Sequence, residues 1–239
     1  MSPWYILLLF LSAFAGGCAV FYVRRDNRQQ LKLILSFSGA FLFSITVLHL
    51  IPEVYAGHDH LVGVFILGGF LFQILLEQLS QGIEHGHMHT HAPEGPAFPF
   101  GIMFSLSLHA VLEGMPLVGS HQRELVFGIA LHHVPAAFAL GSVLLQHHIR
   151  KPNIILLLAL FALMTPAGFL LSKILSENTS ADLHRYFSRI MGVVIGIFLH
   201  ISTTILFESS VEHHFSRKKT IAVLAGVSIA LISFFTSLA

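Results

Sequence analysis

Apolar runs close to the width of a bilayer recur eight times along this chain, and that recurrence leaves few folds open to it. A helix needs roughly 20 residues to cross the hydrocarbon core. Runs of that size fall at about 3–23, 33–55, 61–80, 99–118, 124–146, 153–174, 188–208 and 220–238. Backbone polar groups in lipid must be satisfied within their own segment, so each run is read as a helix. Only 10% of residues are charged, and mean hydropathy is +0.77, which leaves no stretch for a soluble domain. The expected fold is an all-α, multi-pass membrane protein, a single transmembrane domain over residues 1–239 with a polar loop at about 81–98. The first run resembles a signal peptide in length. It lacks a basic start and a convincing cleavage site, and the basic stretch follows it, so it is read as a membrane helix.

The 13 lysines and arginines orient the spans. With the N-terminus outside, the cytoplasmic loops hold Arg24, Arg25, Arg28, Lys32, Arg150, Lys151, Arg217, Lys218 and Lys219. The other side holds Arg123, Lys173, Arg185 and Arg189, so the division is 9 to 4, and both termini are expected on the non-cytoplasmic side. The lone Cys18 excludes an internal disulfide or a thiolate cluster and is read as a small packing residue. The net charge of +1, without a basic stripe carrying interleaved aromatics, gives no footprint for nucleic acid.

Seventeen histidines are the anomaly in so apolar a chain. "IEHGHMHTH", residues 83–91, alternates His85, His87, His89 and His91 in a loop that this topology puts in the cytoplasm. Such a tract gathers a borderline cation loosely, or is simply a solvated polar loop. "LHLIPE" sets His49 and Glu53 four apart at the outer end of the second run, as an entrance for cations or as a polar helix end. Toward the inner side, Glu77 and Glu84 follow the third run. In the seventh, "FLHISTTILFESSVEHH" carries His200 and Glu208, with Glu212, His213 and His214 beyond. These groups would line an exit, although each alone is also a common interfacial residue.

The fourth and fifth runs carry the strongest signal. "FSLSLHAVLEGMPLVG", residues 104–119, has His109 and Glu113 in its middle, one helical turn apart on one face. "LHHVPAAFALG" places His132 and His133 just before Pro135. Pro116 and Pro135 are expected to bend their helices and to free the carbonyls of Leu112 and Leu131. A short turn at about 119–123 makes the two helices antiparallel, so their polar faces can meet at one depth. His109, Glu113 and His132 then form a two-histidine, one-carboxylate set suited to zinc or another divalent first-row cation. A cation would cancel the carboxylate charge that is otherwise expensive in a bilayer. Adjacent helical residues diverge by about 100°, so His133 joins only if the bend turns it. The competing reading of each membrane histidine is an ordinary interhelical hydrogen bond.

On these residues the chain resembles the ZIP family of divalent-cation transporters, and the likeness extends over essentially its whole length. The family's fourth-span pattern, His-Asn-x-x-Asp/Glu-Gly, is matched by His109-Ala110-Val111-Leu112-Glu113-Gly114. The fifth-span pattern, His-Glu-x-Pro-His-Glu, is matched in frame and proline by His132-His133-Val134-Pro135-Ala136-Ala137. The resemblance implies a 3+2+3 helix arrangement with an inverted repeat, and a bundle of spans one, four, five and six moving against two, three, seven and eight. It also implies a second metal beside the first, whose ligands would fall on Ala110, His133, Ala136 and Thr165. Those side chains leave one metal as the expectation. "GVFILGGF" (63–70) and "MGVVIGIF" (191–198) put small residues where sliding, homodimer or plain packing contacts could form.

The expected function is therefore transport of a divalent cation, zinc first and Fe2+, Mn2+ or Cd2+ as alternatives, into the cytoplasm by elevator-type alternating access. No phosphate-binding glycine loop is present to couple ATP hydrolysis. An intramembrane zinc hydrolase is the runner-up, but it needs a free general base beside the metal, and Glu113 is already taken as a ligand. A metal-binding membrane receptor is the third reading. The expected partners are the cation, the lipid bilayer and a second copy of the chain.

Overall fold

The computed structural model describes residues 2–22, 28–57, 59–80, 82, 98–119, 122–147, 149–177, 182–208 and 216–238. All regular structure among them is helical. Eight helical spans are long and apolar enough to cross a membrane: Pro3–Phe21, Lys32–Ala56, Val62–Ser80, Phe100–Val118, Gln122–Gln146, Lys151–Ser176, Phe187–Phe207 and Arg217–Thr236. Their ends agree with the hydropathy reading to within three residues.

The helices are α1 (Pro3–Cys18), α2 (Arg28–Ile45), α3 (Ile51–Ala56), α4 (Val62–Ser80), α5 (Phe100–Gly114), α6 (Gln122–Gln146), α7 (Lys151–Ala162), α8 (Met164–Glu177), α9 (Asp182–Glu208) and α10 (Arg217–Leu238). Among the described residues there are ten helices for eight spans because prolines divide two of the spans. Pro52 offers no N–H to the carbonyl one turn back, and the chain widens into a π-turn over Thr46–Leu50, where the Ile51 amide reaches back to the Thr46 carbonyl. Pro166 does the same to Ala162, and the sixth span breaks at Leu163 into α7 and α8. Pro116 was expected to bend its helix. Instead α5 stops at Gly114, and Pro116 sits in a 3-10 turn, Met115–Val118. Pro135 alone is carried inside a continuous helix, α6. After α4, Gly82 takes a positive φ of 69° that favours glycine, and its amide donates to the Glu77 carbonyl.

α6 is the most enclosed span and α10 the least, with 72% and 17% of their apolar windows buried, so α6 lies at the centre and α10 on the rim. α1 packs on α6 and α7, and α5 packs on α8. α4 runs along α9, and α2 along α10. Contacts of α2 with α6 and of α4 with α5 join these groups. Two of the pairs meet backbone to backbone through reciprocal glycines. A Cβ at Gly114 would strike the Thr165 carbonyl and one at Gly168 the Val111 carbonyl, which ties α5 to α8. A Cβ at Gly69 would strike Val193 and one at Gly196 would strike Ile66, which ties α4 to α9. The two small-residue stretches singled out in the sequence thus pack on each other, the reading as plain packing. Gly63 meets the Tyr55 hydroxyl instead, and Gly68 has open space around it.

Candidate metal centre

His109 and Glu113 lie one turn apart on the buried face of α5, and His132 and His133 come from the middle of α6. All four are nearly sealed from the surface, with Glu113 and His132 at 0% exposure. His109, Glu113 and His132 each offer a ligand atom, and the three atoms lie within 4.8 Å of one another. Donors around a tetrahedral zinc, each about 2.0–2.1 Å from the ion, stand roughly 3.3 Å apart. Small rotamer shifts would close the set on a cation.

The carboxylate of Glu113 is divided between two neighbours. His133 Nε2 lies 2.7 Å from Oε2, a hydrogen bond in which the ring N–H donates. His109 Nε2 lies 3.1 Å from Oε1, and Oε1 accepts no hydrogen bond among the described residues. One oxygen is thus anchored, and the other keeps its lone pairs to give. His133, which the sequence left dependent on a bend, reaches the site through Glu113 instead of joining the three-donor set. A carboxylate at this depth is tolerable only with charge-assisted bonds or a cation beside it.

A fifth residue reaches the site from α4. Gln73 is fully buried, and its Oε1 lies 3.3 Å from His109 Nδ1. No motif in the sequence singles it out. A weaker signal was in "FQILLEQ", where Gln73 and Glu77 sit four apart in an otherwise apolar run. Glu77 in turn bonds His200 of α9 across 2.6 Å, with Phe70 packed edge-on to the imidazole. The expected exit residues Glu77 and His200 are therefore brought together, one turn of α4 away from Gln73. The side chain of Glu208, together with Glu84, Glu212, His213, His214 and the loop residues His85, His87, His89 and His91, lies outside the described residues.

The expected entrance pair divides. His49 closes the π-turn, buried and edge-on to Phe234 of α10, while Glu53 is exposed near Gly119. At the positions of a second metal, Ala110 and Ala136 are buried and carry no donor. The Thr165 hydroxyl is buried with no hydrogen-bond partner among the described residues.

Comparison with known proteins decides the family. The family model described as "ZIP Zinc transporter" matches residues 90–233, more than half of the chain, including His109, Glu113, His132 and His133. The chain belongs to the ZIP zinc transporter family. It is 25% identical to human "Zinc transporter ZIP1" over 94% of this chain and 87% of that protein. It is 26% identical to the mouse protein of the same name over the same shares. "Zinc transporter ZIP9" of Xenopus tropicalis is 25% identical over 74% of this chain and 64% of its own length. The relatives are named as transporters, not enzymes, so the hydrolase reading falls away and this ZIP chain is a multi-pass membrane protein of a transporter family.

Proposed function

We propose that this ZIP protein carries zinc across the membrane into the cytoplasm through a single-metal site made by His109, Glu113 and His132. The observation that carries this reading is the convergence of three buried donor atoms within 4.8 Å on adjacent helices. Two imidazoles and a carboxylate match zinc, and the same donors accept Fe2+, Mn2+ or Cd2+ less selectively. The relatives named as zinc transporters favour zinc among these.

Movement follows from which helices are locked together. The glycine-tied pair α5–α8, with α1, α6 and α7 packed about it, forms one body holding the site. The glycine-tied pair α4–α9, with α2 and α10, forms the other. Side-chain contacts such as Gln73 to His109 span the seam and can be exchanged as one body slides, as elevator transport in a 3+2+3 inverted-repeat frame requires. The cation enters past His49 and Glu53 with both termini outside. It leaves by Glu77, His200 and Glu208, and the histidines at 85, 87, 89 and 91 gather it in the cytoplasm. The protein acts as a single transmembrane domain and assembles as a homodimer.

Uptake of one metal at a time by purified protein in liposomes tests this. Zinc should be carried best, and His109→Ala, Glu113→Ala and His132→Ala should each abolish uptake while the protein remains folded. Near-normal zinc uptake by any two of them sinks the site.

A further inference from the structure

We propose that Gln73 is a positioning residue that holds His109 in its metal-binding form. The inference rests on the reading of His109 as a ligand and adds to it a residue from another helix. Gln73 Oε1 faces His109 Nδ1 at 3.3 Å, and an amide oxygen can only accept, so the ring proton sits on Nδ1. A neutral imidazole protonated there carries its lone pair on Nε2. That is the atom 3.1 Å from Glu113 Oε1. A cation seated beside both atoms would take a lone pair from each.

The other tautomer is also open to a neutral imidazole, which is why the choice needs enforcing. With the proton on Nε2, the lone pair would move to Nδ1, and the nitrogen beside Glu113 Oε1 would have nothing to offer a cation. Gln73 removes that outcome by giving the Nδ1 proton a buried acceptor. Its aim is fixed by the helix contact around it: Ser105, one turn before His109 on α5, donates to the Leu76 carbonyl of α4 at 2.6 Å. Hydrogen-bond partners behind a ligand typically change metal affinity by about 10–100-fold when removed.

The test is zinc affinity measured by calorimetry on the full chain with His85, His87, His89 and His91 changed to Ser, so that core binding is read alone. Gln73→Leu should weaken binding about 10–100-fold without lowering the unfolding temperature of the metal-free protein. Gln73→Glu, which keeps an acceptor, should retain tight binding. Replacing His109 by Nδ1-methylhistidine in the Gln73→Leu background should restore affinity, because the methyl group holds the lone pair on Nε2. A purely structural role for Gln73 predicts no such rescue. Unchanged affinity in Gln73→Leu, or a loss that the methylated ring leaves in place, overturns the proposal. Should Gln73→Leu fail to fold, Gln73→Met with the same ring replacement decides it on the same criteria. His109→Ala is measured alongside, and if it alone leaves core affinity intact, the ligand reading is what has failed.

Discussion

Glu113 is the residue on which the site turns, because its two oxygens face different tasks. Oε2 is held by His133 at 2.7 Å, and Oε1 lies 3.1 Å from His109 Nε2. His133→Leu should therefore leave the three donors in place but let the carboxylate swing, raising the zinc concentration for half-maximal uptake by about 10–100-fold. His133→Gln keeps an N–H donor and should recover much of that loss, whereas His132→Gln should not recover function. Equal damage from His132→Gln and His133→Gln in liposome uptake would mean that both are direct ligands. Much of this was legible in the sequence: the four-residue spacing of His109 and Glu113 set one face, and His132 followed from the antiparallel turn. The partner of His133 was not, since two consecutive helical residues diverge and only the packed helices decide which reaches the carboxylate. Gln73 was hidden for a similar reason. Its meaning comes from α5, which is distant in sequence and adjacent in space.

Hydropathy located the helices because lipid imposes one demand, about 20 apolar residues per crossing, that composition answers directly. The interruptions were harder to read. Pro52, Pro116, Pro135 and Pro166 all lack the same N–H, yet the chain answers with a π-turn, a 3-10 ending, an unbroken helix and a break. Neighbouring helices select among those outcomes. Glycines show the same dependence on context, and here two consecutive residues separate the cases. Gly69 lies against the Val193 backbone, whereas Gly68 faces open space. Gly69→Ala should force α4 from α9 and lower stability by about 1–3 kcal/mol, the usual range for overpacking. Gly68→Ala should be neutral or slightly stabilising, since alanine is the better helix former. Unfolding temperatures of the two variants in one detergent check this. Equal losses, or none in either, would remove the backbone contact from the account of this helix pair.

At the scale of the whole molecule, the question is whether the two helix groups move as bodies. Within each group one helix pair meets backbone against backbone at its glycines, which tolerates little sliding. Contacts between groups are made by side chains: apolar ones such as Phe41 and Leu42 of α2 beside Gly128 of α6, and polar ones such as Gln73 to His109 and, near the 119–123 turn, Ser233 of α10 donating to Glu124 of α6 at 3.1 Å. Such bonds can break and re-form elsewhere at little cost, so they are where a transport cycle would separate the groups. Glu124→Cys with Ser233→Cys, in a Cys18→Ala background, puts a thiol pair across that seam. A short bis-thiosulfonate joining them should stop zinc uptake, and reduction should restore it. The control pair lies within one group. Arg189 of α9 bonds Asp59, just before α4, at 2.9 Å, so Asp59→Cys with Arg189→Cys can be joined without bridging the seam. Linking that pair should leave uptake running. Undiminished uptake with Glu124→Cys and Ser233→Cys fully cross-linked would mean that α6 and α10 hold one relation throughout the cycle. The moving body would then have to be smaller than the group of α1 and α5 to α8.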